Sequence, residues 1–244
     1  MSSPNPSPDR VDLESYQIPS LEGGLYISEF ITKEQEEYIV NEINKLPDSR
    51  WTVLTHRRLL SLPSPLTGTV RDKLIDAPLP SFLTKVILDK MKELQVFADS
   101  PHSTPNHCLV NRYQPGQGIM PHEDGPAYFP ITATVSLRSH TVLDIYKKNG
   151  QGEREPRPAW RILQEPRSLL VTTGTMYRDT LHGISDVELD EDLRPETIVN
   201  WSMLNDRIPF ETGTANRQTR ISLTYRDVLK VVKVGGALKF LNKK

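Results

Sequence analysis

Residues 219–228 read TRISLTYRDV. On extended backbone, successive side chains point to opposite faces, so Arg220, Ser222, Thr224 and Arg226 share one side and Ile221, Leu223 and Tyr225 the other. The apolar side can pack under helices while the polar side lines a cavity. Two arginines on the inward face of a half-buried strand are costly without anionic partners, because a buried charge has to be paired. This strand predicts a β core around a polar interior that holds an anion. A surface strand with solvated arginines is the alternative reading of the same segment.

The surrounding sequence fits the first reading. From about residue 106 onward the chain runs in short β-branched or alternating stretches at 108–113, 131–138, 141–146 and 168–173, separated by Gly and Pro. Upstream, a strand is expected at 24–30. Thr32 and Gln35 then form a capping-box pattern opening a helix over 33–46, with Ile39, Ile43 and Leu46 on its buried face. A second helix is predicted over 82–94, where Leu83, Val86, Ile87, Lys90, Met91 and Leu94 repeat at helical spacing and only Lys90 is polar. The fold class is therefore α+β, mostly β, with N-terminal helices packed outside a β-sandwich or jelly roll. Residues 1–20, rich in Ser, Pro, Asp and Asn, read as a mobile tail before a single domain at 21–244. Within that domain, 147–160 and 185–218 are irregular insertions of the kind that form functional loops or stay disordered.

Composition limits the possible settings. With 30 basic and 31 acidic residues among 244, the charges nearly cancel, so any polyanion site has to be local. Cys108 is the only cysteine, which excludes an internal disulfide framework and suits a reducing compartment, cytoplasm or nucleus. No apolar run approaches the roughly 18 residues of a membrane span, and no membrane partner is expected.

The segment Met120-Pro121-His122-Glu123-Asp124-Gly125 places an imidazole and a carboxylate two residues apart, on one side of an extended chain. His182, followed by Gly183, can complete a set of two histidines and one carboxylate. Such a set leaves about three positions open on iron, as a bidentate keto acid and O2 require. A zinc hydrolase, or no metal at all, fits the same triplet. On the 219–228 strand, Arg220 can fork onto the distal carboxylate of 2-oxoglutarate with the Ser222 hydroxyl as a further donor. Asn111 and Tyr113, on one face of another strand, can hold carboxylates too.

Together these residues form the pattern Asn-x-Tyr-x-x-Gly-x-x-Ile-x-x-His-x-Asp, then a distant His, then two Arg six residues apart: NRYQPGQGIMPHED, LHGI and RISLTYR. In this the chain resembles the AlkB family of Fe(II)/2-oxoglutarate dioxygenases, most closely its sixth homologue, over about residues 27–229. The resemblance implies a double-stranded β-helix (jelly roll) core and iron at His122, Asp124 and His182. It also implies cosubstrate contacts from Asn111, Tyr113, Arg220 and Ser222, with Arg226 a catalytic residue nearer the iron on the substrate side. The implied reaction is oxidative dealkylation using Fe(II), 2-oxoglutarate and O2, with ascorbate as reductant. In it 2-oxoglutarate becomes succinate, an N-methyl carbon is hydroxylated, and formaldehyde leaves. A monomer is expected.

The substrate is less legible. In relatives that repair nucleic acids, the segment after the first helix forms a lid whose aromatics grip a flipped base. Here that segment opens on Arg50-Trp51 and carries a basic cluster, His56-Arg57-Arg58, able to meet phosphates. No Phe, Tyr or Trp lies between Thr52 and Ser81, so stacking would fall to Trp51, His56, Tyr128, Phe129 or Tyr146. Trp51 reads equally as a core anchor. Asp144 could accept from a base edge or sit in a salt bridge, and Glu123 should point away from the iron. Three functions follow: a demethylase of RNA or single-stranded DNA, a dioxygenase of methylated protein, and a nucleic-acid reader with little turnover.

Overall fold

Thr32 caps helix α1 (Lys33–Asn44) as the capping pattern predicts: its hydroxyl accepts from the Gln35 N–H, and the Gln35 side chain accepts from the Thr32 N–H. Two N–H groups that a helix start leaves unpaired are thereby satisfied. Ile39, Val40 and Ile43 form the buried face, and Leu46 packs beside them just past the helix end. The second helix is less regular than its spacing suggests. Across 81–93 the chain runs through α2 (Ser81–Leu83), a π-helical turn (Thr84–Leu88) and α3 (Asp89–Glu93), with Phe82, Leu83, Ile87 and Met91 still buried. Lys90, the polar residue on that face, donates to the Phe30 carbonyl at 2.8 Å and rides 5.7 Å from the Phe30 ring centroid.

The computed structural model describes residues 13–233. Its strands, in chain order, are β1 (Gly24–Ile27), β2 (Thr52–Leu54), β3 (Arg57–Leu62), β4 (Lys73–Ile75), β5 (His107–Tyr113), β6 (Ile119–His122), β7 (Tyr128–Leu137), β8 (Thr141–Lys147) and β9 (Trp160–Gln164). They continue with β10 (Leu169–Thr172), β11 (Thr180–Ile184), β12 (Leu189–Asp190), β13 (Ala215–Asn216), β14 (Arg220–Val228) and β15 (Lys230–Val232). A seven-stranded sheet has the order β1-β10-β7-β14-β5-β3-β2 and a four-stranded sheet the order β6-β11-β8-β9. Every pairing within these two sheets is antiparallel. The result is the expected jelly roll, mostly β with helices outside.

One hydrophobic cluster joins α1 and the 81–93 helical stretch to the outer face of the large sheet through Cys108, Val110, Val135, Ile221, Leu223 and Tyr225. Tyr225 also donates its hydroxyl to the Leu83 carbonyl at 3.2 Å. A second cluster binds the small sheet to Tyr26, Tyr113 and Leu170 of the large one. The alternation along β14 thus divides as predicted, apolar side chains under the helices and polar ones toward the interior.

Three stretches go beyond what the sequence patterns foretell. Of the tail predicted as mobile over 1–20, residues 1–12 lie outside the described residues, but 13–20 carry defined structure and one buried anchor. Leu13–Tyr16 is a 3-10 turn, Gln17 bridges Leu25, and Ile18 is fully buried, because its side chain fills the second cluster. The insertion 185–218 is ordered. Leu193, Ile198, Leu204 and Phe210 pack on the small sheet, and Asn200 holds both the N–H and the carbonyl of Leu163, at 3.0 and 2.9 Å. Strands β2 and β3, in a region with no strand pattern, extend the large sheet through pairing with β5.

Trp51 is the anchor of that extension rather than a free lid residue. It is buried, with the Arg58 guanidinium 5.2 Å and the Arg112 guanidinium 4.9 Å from its ring centroid. Trp51→Ala should therefore lower unfolding free energy by about 3–5 kcal/mol in urea titration while 2-oxoglutarate affinity stays at the wild-type value. Lost affinity with unchanged stability would return Trp51 to the ligand site.

Candidate metal centre

β6 and β11 are neighbours, and their register sets His122 directly opposite His182, ring centroids 4.4 Å apart. Asp124 follows just beyond the end of β6, and one ligand atom from each of His122, Asp124 and His182 lies within 4.8 Å of the others. Gly183 permits this approach. A Cβ there would stand 2.9 Å from the Pro121 nitrogen and 3.1 Å from the Ile119 carbonyl oxygen, tighter than a side chain tolerates.

The electrostatics suit a divalent cation. The His122 Nδ1 faces the Met120 carbonyl at 2.9 Å, and since a carbonyl can only accept, Nδ1 donates to it and the ring is held in one orientation. Burial pushes His182 down to about 4, against the pull of Asp124, so its imidazole is neutral at physiological pH. Burial alone would raise the Asp124 carboxyl, but the Arg226 guanidinium, His182 and the Thr132 hydroxyl bring it down to about 2. Thr132 donates to Asp124 Oδ2 at 2.8 Å, and Arg226 donates to Oδ1. A neutral His182 imidazole, the oriented His122 ring and one oriented carboxylate make up the two-histidine, one-carboxylate set that non-haem Fe(II) takes in oxygenases, and the residues fit that ion.

The cluster opens into a cavity of about 270 Å³ between the two sheets. All four residues predicted to hold the cosubstrate line it, and they meet as cross-strand pairs: Arg220 opposite Tyr113, and Ser222 opposite Asn111. Arg220 is buried yet has only neutral acceptors, Ser136 Oγ at 2.8 Å and Gln164 Oε1 at 3.3 Å, while its Nε has none. Burial pushes its guanidinium down to about 10, so it remains charged at neutral pH with no carboxylate beside it among the described residues. Such a charge calls for an anion from solution. Arg226 also lines the cavity, paired to Asp124, with its guanidinium 4.9 Å from the Tyr128 ring centroid.

Several lining residues were not singled out from the sequence. Thr132 and Thr134 share the inward face of β7, and the polar–apolar alternation of TATVS carries that signal. Gln164, at the end of a short strand reading WRILQ, has no comparable pattern. Arg57, read from the sequence as part of a basic cluster able to meet phosphates, lines the cavity as well and donates Nε to Asn111 Oδ1 at 3.2 Å.

The basic cluster His56-Arg57-Arg58 does not form one phosphate-facing patch. Alternation on β3 turns Arg57 into the cavity, Arg58 pairs with Asp48 at 2.6 Å over the Trp51 ring, and His56 lies 3.1 Å from Asp186. Asp144 faces away from the metal cluster, accepting from Ser185 at 3.1 Å with Arg161 at 3.5 Å. Glu123 reaches the cavity mouth and pairs with Lys148 at 2.6 Å.

A pH dependence follows for the metal-free protein. Burial lowers both His182 and His107 to about 4 in the folded state, while the unfolded chain takes up these protons near 6.5. The unfolded state then binds more protons throughout that window, so stability falls as pH drops from about 6.5 toward about 4. His107→Gln should flatten this fall in urea midpoints measured across the window; an unchanged slope would show that His107 does not contribute.

Comparison with known proteins agrees with this geometry. The profile of the 2OG-Fe(II) oxygenase superfamily matches residues 23–226. A Danio rerio protein named "Probable RNA/DNA demethylase ALKBH6" is 38% identical over 244 residues, covering 96% of this chain and 97% of its own length. A Xenopus tropicalis protein named "tRNA (carboxymethyluridine(34)-5-O)-methyltransferase alkbh8" is 27% identical over 90% of this chain, which spans 34% of that longer protein. The solved structure of OsALKBH1 shares the fold, with a TM-score of 0.51 at 17% identity, covering 84% of this chain and 98% of its own. Metal cluster, cavity and relatives agree: the chain belongs to the 2OG-Fe(II) oxygenase superfamily, and within it to the AlkB family of Fe(II)/2-oxoglutarate-dependent dioxygenases.

Proposed function

We propose that this protein is an oxidative demethylase acting on N-methylated bases of RNA or single-stranded DNA. The observation that carries the reading is one cavity with the His122–Asp124–His182 cluster at one end and the buried, carboxylate-free Arg220 at the other. In this reading the three cluster residues hold Fe(II), and Arg220 grips the distal carboxylate of 2-oxoglutarate with help from Ser222. Asn111 and Tyr113 donate to the cosubstrate from the facing strand. Arg226 orients Asp124 through their ion pair, beside the substrate's end of the cavity. Iron and 2-oxoglutarate together supply the O2-dependent oxidation, with ascorbate keeping the metal reduced. The chain's own task is to present the methyl group and keep water away from the metal.

Nucleic acid as the substrate is supported by the near-full-length relative named as an RNA/DNA demethylase. A methylated protein is the second reading, favoured by the near-zero net charge and by a β2–β3 hairpin without an aromatic side chain of its own. The same proposal takes the chain as a monomer working in cytoplasm and nucleus. Mass spectrometry of methylated oligonucleotides and peptides incubated with Fe(II), 2-oxoglutarate and ascorbate in air decides the substrate. Loss of methyl from RNA or DNA with formaldehyde release is expected. Turnover confined to peptides would overturn the nucleic-acid half, and tight RNA binding without formaldehyde would make the protein a reader.

A further inference from the structure

Three arginines line the cavity, and two of them have a role in the proposed chemistry. Arg226 pairs with Asp124, and Arg220 is assigned to the distal carboxylate of the cosubstrate. Arg57 is the third. It is half-buried on β3 and has no carboxylate within ion-pair distance among the described residues. Both carboxylates that line the cavity are already taken, Glu123 by Lys148 and Asp124 by Arg226. What Arg57 does hold is an amide: its Nε donates to Asn111 Oδ1 at 3.2 Å.

Sheet register makes this contact. Arg58 lies opposite Arg112 and Leu59 opposite Asn111, so Arg57 and Asn111 are diagonal neighbours on the inward face, a separation that a long side chain spans. On its other side Asn111 has Ser222 of β14 directly opposite. The amide therefore stands between an arginine of the β2–β3 hairpin and the strand that carries Arg220 and Ser222.

An asparagine amide has an acceptor end and a donor end of nearly the same shape, and which end faces a ligand decides whether it attracts or repels an anion. A carboxylate only accepts, so Asn111 serves one only with its Nδ2 hydrogens turned toward it. A guanidinium only donates, so the Asn111 atom that Arg57 engages has to be Oδ1. With Oδ1 held by the hairpin, Nδ2 is the end left for the cosubstrate. We propose that Arg57 is a positioning residue for 2-oxoglutarate, locking the Asn111 amide in the orientation that donates to a cosubstrate carboxylate. The inference rests on the cosubstrate reading of this cavity. It also gives the β2–β3 hairpin a part in cosubstrate binding, on the strand face opposite to Arg58, which packs over Trp51.

The test is anaerobic calorimetric titration of 2-oxoglutarate into the full chain loaded with Fe(II). Gln and Met side chains are both uncharged and both reach as far as the arginine Nε, but only Gln carries an N–H there. Arg57→Met should therefore bind 2-oxoglutarate roughly 3- to 10-fold more weakly than Arg57→Gln, the worth of one hydrogen bond. Comparing two neutral variants cancels the loss of the Arg57 charge. In an Asn111→Ala background, itself weaker than the wild type, the two should agree within about twofold, because the group that Arg57 acts through is gone. Thermal melts and iron content of each variant separate a change in affinity from misfolding or loss of metal. Equal affinities for the two Arg57 variants, a gap that survives in Asn111→Ala, or wild-type affinity in Asn111→Ala would each overturn the inference. Arg220→Ala, titrated alongside, reads the cosubstrate site itself. If it weakens binding as expected, the failure belongs to Arg57 alone; unchanged affinity there would remove the cosubstrate reading as well.

Discussion

His122→Ala, Asp124→Ala and His182→Ala will each abolish stoichiometric iron binding and turnover, because each removes one of three protein ligand groups drawn from a cluster no wider than 4.8 Å. Asp124→Asn is the sharper variant. It keeps the shape and can still accept from Thr132, but it removes the anion that Arg226 pairs with and that balances the metal. It also leaves the buried Arg226 uncompensated, which costs stability as well as iron. The expected result is loss of iron by elemental analysis in all four variants, with a lower unfolding midpoint in Asp124→Asn. Wild-type iron content in the three alanine variants would mean that the cluster is not the metal site.

Arg220 should dominate cosubstrate affinity. Arg220→Lys keeps the charge but cannot present a planar fork, so the 2-oxoglutarate dissociation constant should rise. For a charged contact worth about 1.5–3 kcal/mol, Arg220→Ala should weaken binding roughly 10- to 150-fold, against about fivefold for Ser222→Ala. Gln164→Glu should be as damaging by the opposite route. Its new carboxylate would sit where Gln164 Oε1 now accepts from Arg220 at 3.3 Å, pairing the guanidinium internally and repelling the dicarboxylate. That variant should melt at a higher temperature without 2-oxoglutarate and gain little on its addition. Calorimetric titration of 2-oxoglutarate into each variant is the measurement, and unchanged affinity in both Arg220→Ala and Gln164→Glu would place the cosubstrate elsewhere.

These two sets of residues differ in how far sequence could find them. The alternation of TRISLTYRDV gave the two faces of β14 directly, because the side-chain period of an extended chain is a local property of the backbone. The capping pattern at Thr32 and Gln35 fixed the start of α1 for the same reason, since every atom involved lies within one turn. The pair His122 and Asp124, two residues apart, was likewise legible. Gln164 and Arg57 were not, since nothing near them in sequence says which cavity they face. The basic triplet His56-Arg57-Arg58 misled because adjacency in sequence became opposition in space: β3 turns Arg57 inward while Arg58 packs on Trp51 outside the cavity.

The sequence by itself determined the capped start of α1, the two faces of β14, the family pattern and the identity of the three metal-cluster residues. Only the tertiary structure decided that His182 lies opposite His122, that Arg220 meets Tyr113 and Ser222 meets Asn111, and that Arg220 has no carboxylate beside it among the described residues. It also decided that 185–218 is a packed cover and that 147–160 reaches the cavity mouth through Lys148 and Glu123. The physical reason is that periodicity and caps are set by neighbouring residues. Strand register and charge compensation are set by segments far apart in the chain, whose meeting is chosen by burial of the whole apolar surface.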